Sequence, residues 1–266
     1  MKHIKLGVAF AAGVLLINLF GCAAVNEVPM QPEAKKLIKS SNVVVGINQQ
    51  EIYAEINHSN TTAAMGGGLL FALIDSAVDS SRTSDAEDMI KPIRNALIDY
   101  DFSTNFSAAM KNELKRLDWF RLRKLSVDTN LDPAREEKLR SSGRDSIVMF
   151  ADTRYYLSAD FSALNIITNV RMYPKTKELL DVAKKIDGNS QEAPLLYKHT
   201  IMTIQPLKNA AGTPEERVTA WTMKQSHIRD ALNRGITQTS KDLVADLELK
   251  REDAKEKLDT ASLSTK

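Results

Sequence analysis

Reactive chemistry in this 266-residue chain has few side chains to start from: one cysteine, Cys22, and four histidines, His3, His58, His199 and His227. A single thiol forbids an internal disulfide and a cysteine-based zinc cage. No two histidines stand at metal-ligand spacing, and neither H-E-x-x-H nor the G-x-S-x-G of a nucleophile elbow occurs. Asp152 and Asp160 are the candidate carboxylate pair, yet their spacing fits a strand end and a turn more simply than general acid–base work. No Lys-Ser or Lys-Thr follows Gly66-Gly67-Gly68, so the P-loop pattern fails. Tyr155-Tyr156 and Trp119-Phe120 are aromatic clusters with basic neighbours, but stacking on bases needs a basic surface around them. The 36 Lys plus Arg against 34 Asp plus Glu give +2, too even for a protein that neutralises phosphates, so no nucleic acid is expected as a partner. Neither catalysis, a cofactor nor a metal is expected.

The strongest signal lies at the start. Lys2, His3 and Lys5 precede an apolar run from Leu6 to Phe20, interrupted only by small residues and Asn18, the pattern of a bacterial export signal. The run is shorter than the roughly 20 residues a membrane-spanning helix needs. It ends in Leu19-Phe20-Gly21-Cys22, which resembles the lipobox of bacterial lipoprotein precursors, with Phe20 where smaller residues are usual. The resemblance implies cleavage by signal peptidase II between Gly21 and Cys22, and lipidation (palmitate among the acyl groups) of Cys22. The alternative is an ordinary signal peptide cut after Ala23 or Ala24, but the chain's only cysteine falls where lipidation requires it. In that family an Asp directly after the cysteine retains the protein at the inner membrane. Ala23 and Ala24 stand there instead, which implies a lipid anchor in the outer membrane facing the periplasm. Removing residues 1–21 takes away Lys2 and Lys5 and no acid, leaving 34 basic against 34 acidic residues.

Four segments follow: a signal peptide over 1–21, a lipidated tether over 22–41 with a short turn of helix at Glu33 to Ile38, a single α+β domain over 42–247, and a disordered tail over 248–266. Within the domain, Asn42 to Ile47 and Glu51 to Ile56 read as two strands of a hairpin turning at Asn48-Gln49-Gln50. Gly66, Gly67 and Gly68 then precede the apolar Leu69, Leu70 and Phe71. This segment is a buried helix entered through a glycine hinge, a surface that touches lipid or a partner, or a cradle for an anion. Asp85 to Leu117 carries apolar residues every three or four positions and predicts two amphipathic helices, broken at Tyr100-Asp101-Phe102, with Ser103 as N-cap.

Phe120 to Val127 alternates as a strand, Asp132-Pro133 opens a charged helix closed by Gly143, and Ser146 to Phe150 is a compact apolar strand. Arg154 to Tyr173 predicts a hairpin turning near Ser162-Ala163, ended by Pro174. The charged stretch after it reads as a loop, and Leu195 to Ile204 as another strand. From Pro214 one long helix carries Val218, Trp221, Ile228, Leu232, Ile236, Leu243 and Leu247 on a single stripe. The fold class expected is α+β, a mixed or antiparallel sheet of about four to six strands packed against amphipathic helices, with a long C-terminal helix.

The order of elements over Phe106 to Val170, with Leu139, Gly143, Ile147-Val148-Met149 and Tyr155-Tyr156-Leu157-Ser158, is similar to the α+β domain shared by the TolB N-terminal domain and envelope lipoproteins of the CsgG and LpoB kind. The lipobox, the even charge of the mature chain and the lack of a catalytic constellation point to a non-catalytic, membrane-anchored interaction or assembly factor that meets another envelope protein. The resemblance leaves open an oligomeric secretion-channel or pore subunit of the CsgG kind. If Leu69 to Ile74 form a buried helix, replacing Leu70 or Leu73 with Ala lowers domain stability by about 2–5 kcal/mol in a denaturant titration. An unchanged midpoint with weakened envelope association would mark an interaction segment instead.

Overall fold

The β-branched run Val43-Val44-Val45 builds the middle of strand β1 (Ser41–Gly46), where branched side chains pack well on a pleated surface. In the computed structural model, which describes residues 27–55, 85–187, 193–208, 210–223 and 226–249, β1 joins five further strands. These are β2 (Tyr53–Ala54), β3 (Leu122–Asp128), β4 (Ile147–Leu157), β5 (Ala163–Pro174) and β6 (Tyr197–Pro206). Their order is β3-β1-β4-β5-β6, with β2 attached to β4. β1 is parallel to β3 and β4, while β4, β5 and β6 form an antiparallel meander.

Seven helices are described: α1 (Pro32–Leu37), α2 (85–96), α3 (Phe102–Leu114), α4 (Pro133–Ser141), α5 (Lys177–Asp187), α6 (Pro214–Thr222) and α7 (Ser226–Glu248). The fold is therefore α+β with a mixed six-stranded sheet and a 23-residue C-terminal helix. One face of the sheet carries the main core, where Val43, Val45 and Met149 meet Phe106 and Met110 of α3 and Leu232 and Ile236 of α7. A smaller cluster of Val44, Leu131, Val148 and Phe150 lies on the other, outer face, capped by Leu139 of α4.

Several local expectations need correction. β1 and β2 do not form a hairpin, because β2 is also parallel to β4 and both lie along the same edge of it. The N-cap of α3 is Asp101, whose carboxylate accepts from the Thr104 amide at 2.9 Å, so the helix starts earlier than Ser103 would place it. Ile147 to Phe150 and Arg154 to Leu157 belong to the one strand β4, which starts one residue after Ser146 and is buried on both faces over its first half, hiding the alternation there. The charged stretch after Pro174 is helix α5, whose Leu179 and Ala183 reach the core. The stripe from Val218 to Leu247 is buried throughout but divided between α6 and α7. Residues 27–40, read as the end of a tether, pack on the domain: Val28 exchanges two backbone bonds of 2.9 Å with Lys198, and Met30, Ala34 and Ile38 are buried.

The β4–β5 turn is built by one carboxylate. Asp160 accepts from the Ser158 and Ser162 hydroxyls at 2.7 Å each and meets Arg217 at 3.2 Å. These bonds, Ser158's first, hold its pKa down at about 2, below the ordinary 3.8. Between them sits Phe161, whose φ of +58° is held by its burial and by the Trp221 indole N–H donating to its carbonyl at 2.9 Å.

A carboxyl whose folded-state pKa is depressed stabilises above its unfolded value, and that contribution disappears as pH falls through the folded value. Asp160→Asn is therefore expected to lower the urea midpoint at pH 7, and the deficit relative to the unmodified protein to shrink between about pH 4 and about pH 2. A deficit independent of pH would contradict this role.

Candidate functional site

The break between β1 and β2 is the most elaborate piece of polar construction described. β1 leaves β4 at Gly46 opposite Asp152, and β2 rejoins it at Tyr53 opposite Tyr156. The backbone groups of β4 in between lose their strand partner, and backbone polar groups left unpaired are costly. A side-chain amide replaces it. Gln49 accepts from the Tyr155 N–H at 2.9 Å and donates to the Tyr155 carbonyl at 2.8 Å, as a strand residue would. On the other side Asn48 does the same for Leu131, accepting its N–H at 2.9 Å and donating to its carbonyl at 2.8 Å.

This construction opens a cleft of about 530 Å³ on the outer face, lined by Gly46, Asn48, Gln49, Asp152, Arg154 and Asn169 among others. Two of its lining carboxylates are tied by Arg171 of β5, which is held between Asp152 of β4 and, at 2.5 Å, Glu136 of α4. Burial opposes the charge on Arg171, but the two carboxylates outweigh it and raise its pKa. Gly46 is required by close approach: a Cβ there would stand 2.5 Å from an Asp152 carboxylate oxygen and 2.8 Å from Leu131 Cδ2. The arrangement locks three charged side chains to one another and presents amide and guanidinium donors at the rim. Among the described residues, no group of three or more His, Cys, Asp or Glu is placed to hold a metal.

The expected site residues are distributed rather than gathered. Gly21, Cys22 and the segment Gly66, Gly67, Gly68, Leu69, Leu70, Phe71 lie outside the described residues, as do His3 and His58. Asp152 and Asp160 do not pair with one another: the first faces Arg171 and the second builds the β4–β5 turn. His199 on β6 lies between Glu27 at 3.0 Å and Asp246 at 3.9 Å, and His227 places Nδ1 at 3.2 Å from the Ala220 carbonyl. Tyr155 stacks on Phe102 at 3.8 Å and Tyr156 on Tyr53 at 5.4 Å, while Phe120 is fully buried. The Arg171–Asp152–Glu136 group was not foreseeable from spacing, because its members come from three elements.

A second open cleft of about 460 Å³ runs between β6 and the end of α7, lined by His199, Met202, Asp242 and Asp246. Its wall is tied by the Tyr197 hydroxyl donating to Asp246 at 2.7 Å. Burial, reinforced by Asp246, pushes the Tyr197 phenol far above its usual range and keeps it protonated. No described helix is long and apolar enough to cross a membrane.

No protein-family model and no curated protein matches the chain. A solved structure of a hypothetical protein from Chlamydia trachomatis is similar over 77% of this chain and 98% of that one, at 13% identity and a TM-score of 0.26. A likeness that low carries no argument about fold or function.

The cleft's architecture makes two substitutions informative. Gly46→Ala forces Asp152 or Leu131 to move and is expected to cost about 1–3 kcal/mol in chemical denaturation. Gln49→Glu keeps the acceptor for Tyr155 N–H but sets a carboxylate against the Tyr155 carbonyl, for a loss of about 1–3 kcal/mol. Stability equal to the unmodified protein in Gln49→Glu would show that the side-chain amide does not complete the ladder.

Proposed function

We propose that this chain is a lipid-anchored envelope protein acting as a non-catalytic interaction or assembly factor on the periplasmic face of the outer membrane. One observation carries the reading: the only cysteine, Cys22, stands at the end of Leu19-Phe20-Gly21-Cys22, directly behind a basic and then apolar leader. Each buried methylene contributes about 0.8 kcal/mol, so several acyl chains on Cys22 hold the protein at the membrane essentially permanently.

The described domain supports the second half of the reading. Two of its polar clusters, Arg171 with Asp152 and Glu136, and Asp160 with its two serines, hold strands and turns together. Among the described residues, no element covers part of the sheet's outer face, where Met202 and Ile204 are exposed. A rigid sheet with an open face, fixed to a membrane by its N-terminal end, is suited to holding another envelope protein in place.

Cys22→Ser is expected to accumulate as uncleaved precursor and to lose radioactive palmitate. Label retained in that variant, or cleavage still occurring ahead of residue 22, would overturn the anchor. Gentle detergent extraction of the lipidated protein followed by native mass measurement tests the assembly role. A discrete complex with a second envelope protein is expected, and a large ring of identical subunits would replace this reading with that of a channel subunit.

A further inference from the structure

Among the described residues, two of the large apolar side chains left exposed, Met202 and Ile204, share strand β6, each at 52% exposure. Both point from the outer face of the sheet. Register sets Met202 beside Ile167, which neighbours Arg154, and Ile204 beside Asn165, which neighbours Tyr156. The cluster capped by α4 covers Val44, Val148 and Phe150, on the other half of this face. Lys198, half-buried, and Arg154, exposed, supply cations on the same open half. At the rim the Glu27 carboxylate is occupied by His199, and Glu55 stands exposed beyond Tyr53.

What covers this face follows from where the chain enters the domain. Val28 is bonded to Lys198, so entry is at the β6 edge. The five residue-to-residue steps from Cys22 to Glu27 reach at most about 18 Å when fully extended. A domain of about 220 residues has a radius of gyration of about 17 Å, so such a tether is shorter than the domain is wide. An acylated Cys22 therefore holds the β6 rim against the bilayer and does not let the domain stand away from it.

We infer that the β6 half of the outer sheet face docks on the phospholipid headgroup layer that holds Cys22, with Met202 and Ile204 as its apolar contacts and Lys198 and Arg154 facing lipid phosphate. The inference rests on the anchor proposed above and deepens it by giving the domain an orientation. The β3 edge, four strands and about 19 Å away at the usual strand spacing, then faces the periplasm.

The test uses the full lipidated protein reconstituted in vesicles of phosphatidylethanolamine and phosphatidylglycerol. With the Cys22 sulfur in a thioether, Met202→Cys, Ile204→Cys and Val127→Cys each offer one thiol for an environment-sensitive fluorophore. Nitroxide-labelled lipid is expected to quench the probes at 202 and 204 several-fold more than the probe on β3 at 127. Equal quenching at all three positions, or stronger quenching at 127, would overturn the docking while vesicle flotation still reported an intact anchor. Failure of the protein to float, with no acyl group on Cys22, would overturn the anchor itself and the docking with it. Flotation with no quenching at 202 and 204 would mean that something other than lipid covers this face.

Discussion

Two crossovers that travel in opposite directions across one sheet determine most of this structure. The connection from β1 to β3 contains α2 and α3, and the return from β3 past β1 to β4 is made by α4. Parallel connections are right-handed almost without exception, so opposite directions require opposite faces. They occupy opposite faces here: α3 packs with Val43 and Val45 in the main core, and Leu139 of α4 packs with Val44, Val148 and Phe150. α4 packs over β1, β4 and the near end of β5, where Tyr173 joins its cluster and Arg171 meets Glu136, and it leaves Met202 and Ile204 on β6 exposed. Among the described residues, the half of the outer face that carries Met202 and Ile204 is thus left open by where the crossovers run.

The same order explains the polar cleft. β4 is eleven residues long while β1 is six, so its edge must be completed by something else. β2 supplies two residues, and the Gln49 amide bridges the interval by pairing with Tyr155. At the end of β1, Gly46 lies close against Asp152 and Leu131, and beside it Arg171 joins Asp152 to Glu136 of α4. These groups are satisfied by one another, which gives the cleft a structural origin.

Patterns of short range were legible in the sequence. The stripe from Val218 to Leu247 is buried because its period matches a helix, although nothing in that period marks the break between α6 and α7, since the stripe continues across it. Asp132 ahead of Pro133 caps α4 as its local chemistry suggests, and Gly143 just past the helix adopts a φ of +81° that favours glycine. Pairing was not legible. Asn48-Gln49 have turn-like composition, and only the position of β4, far along the chain, decides that their side chains imitate backbone amides instead of reversing it. Helix α5 was hidden by Lys and Asp at its ends around the buried Leu179 and Ala183. Arg171, Asp152 and Glu136 meet only because register and crossover bring β5, β4 and α4 together.

Methionine oxidation by hydroxyl radicals tests the central claim, an open outer face that is covered when the protein is in place, most directly. Met202 is 52% exposed and Met223 77%, while Met110, Met149 and Met172 are fully buried and serve as internal references. Both Met202 and Met223 are expected to oxidise rapidly in detergent-solubilised protein, with Met202 selectively protected in intact envelopes. Met202 oxidised as fast in envelopes as in detergent, relative to Met223, would contradict it.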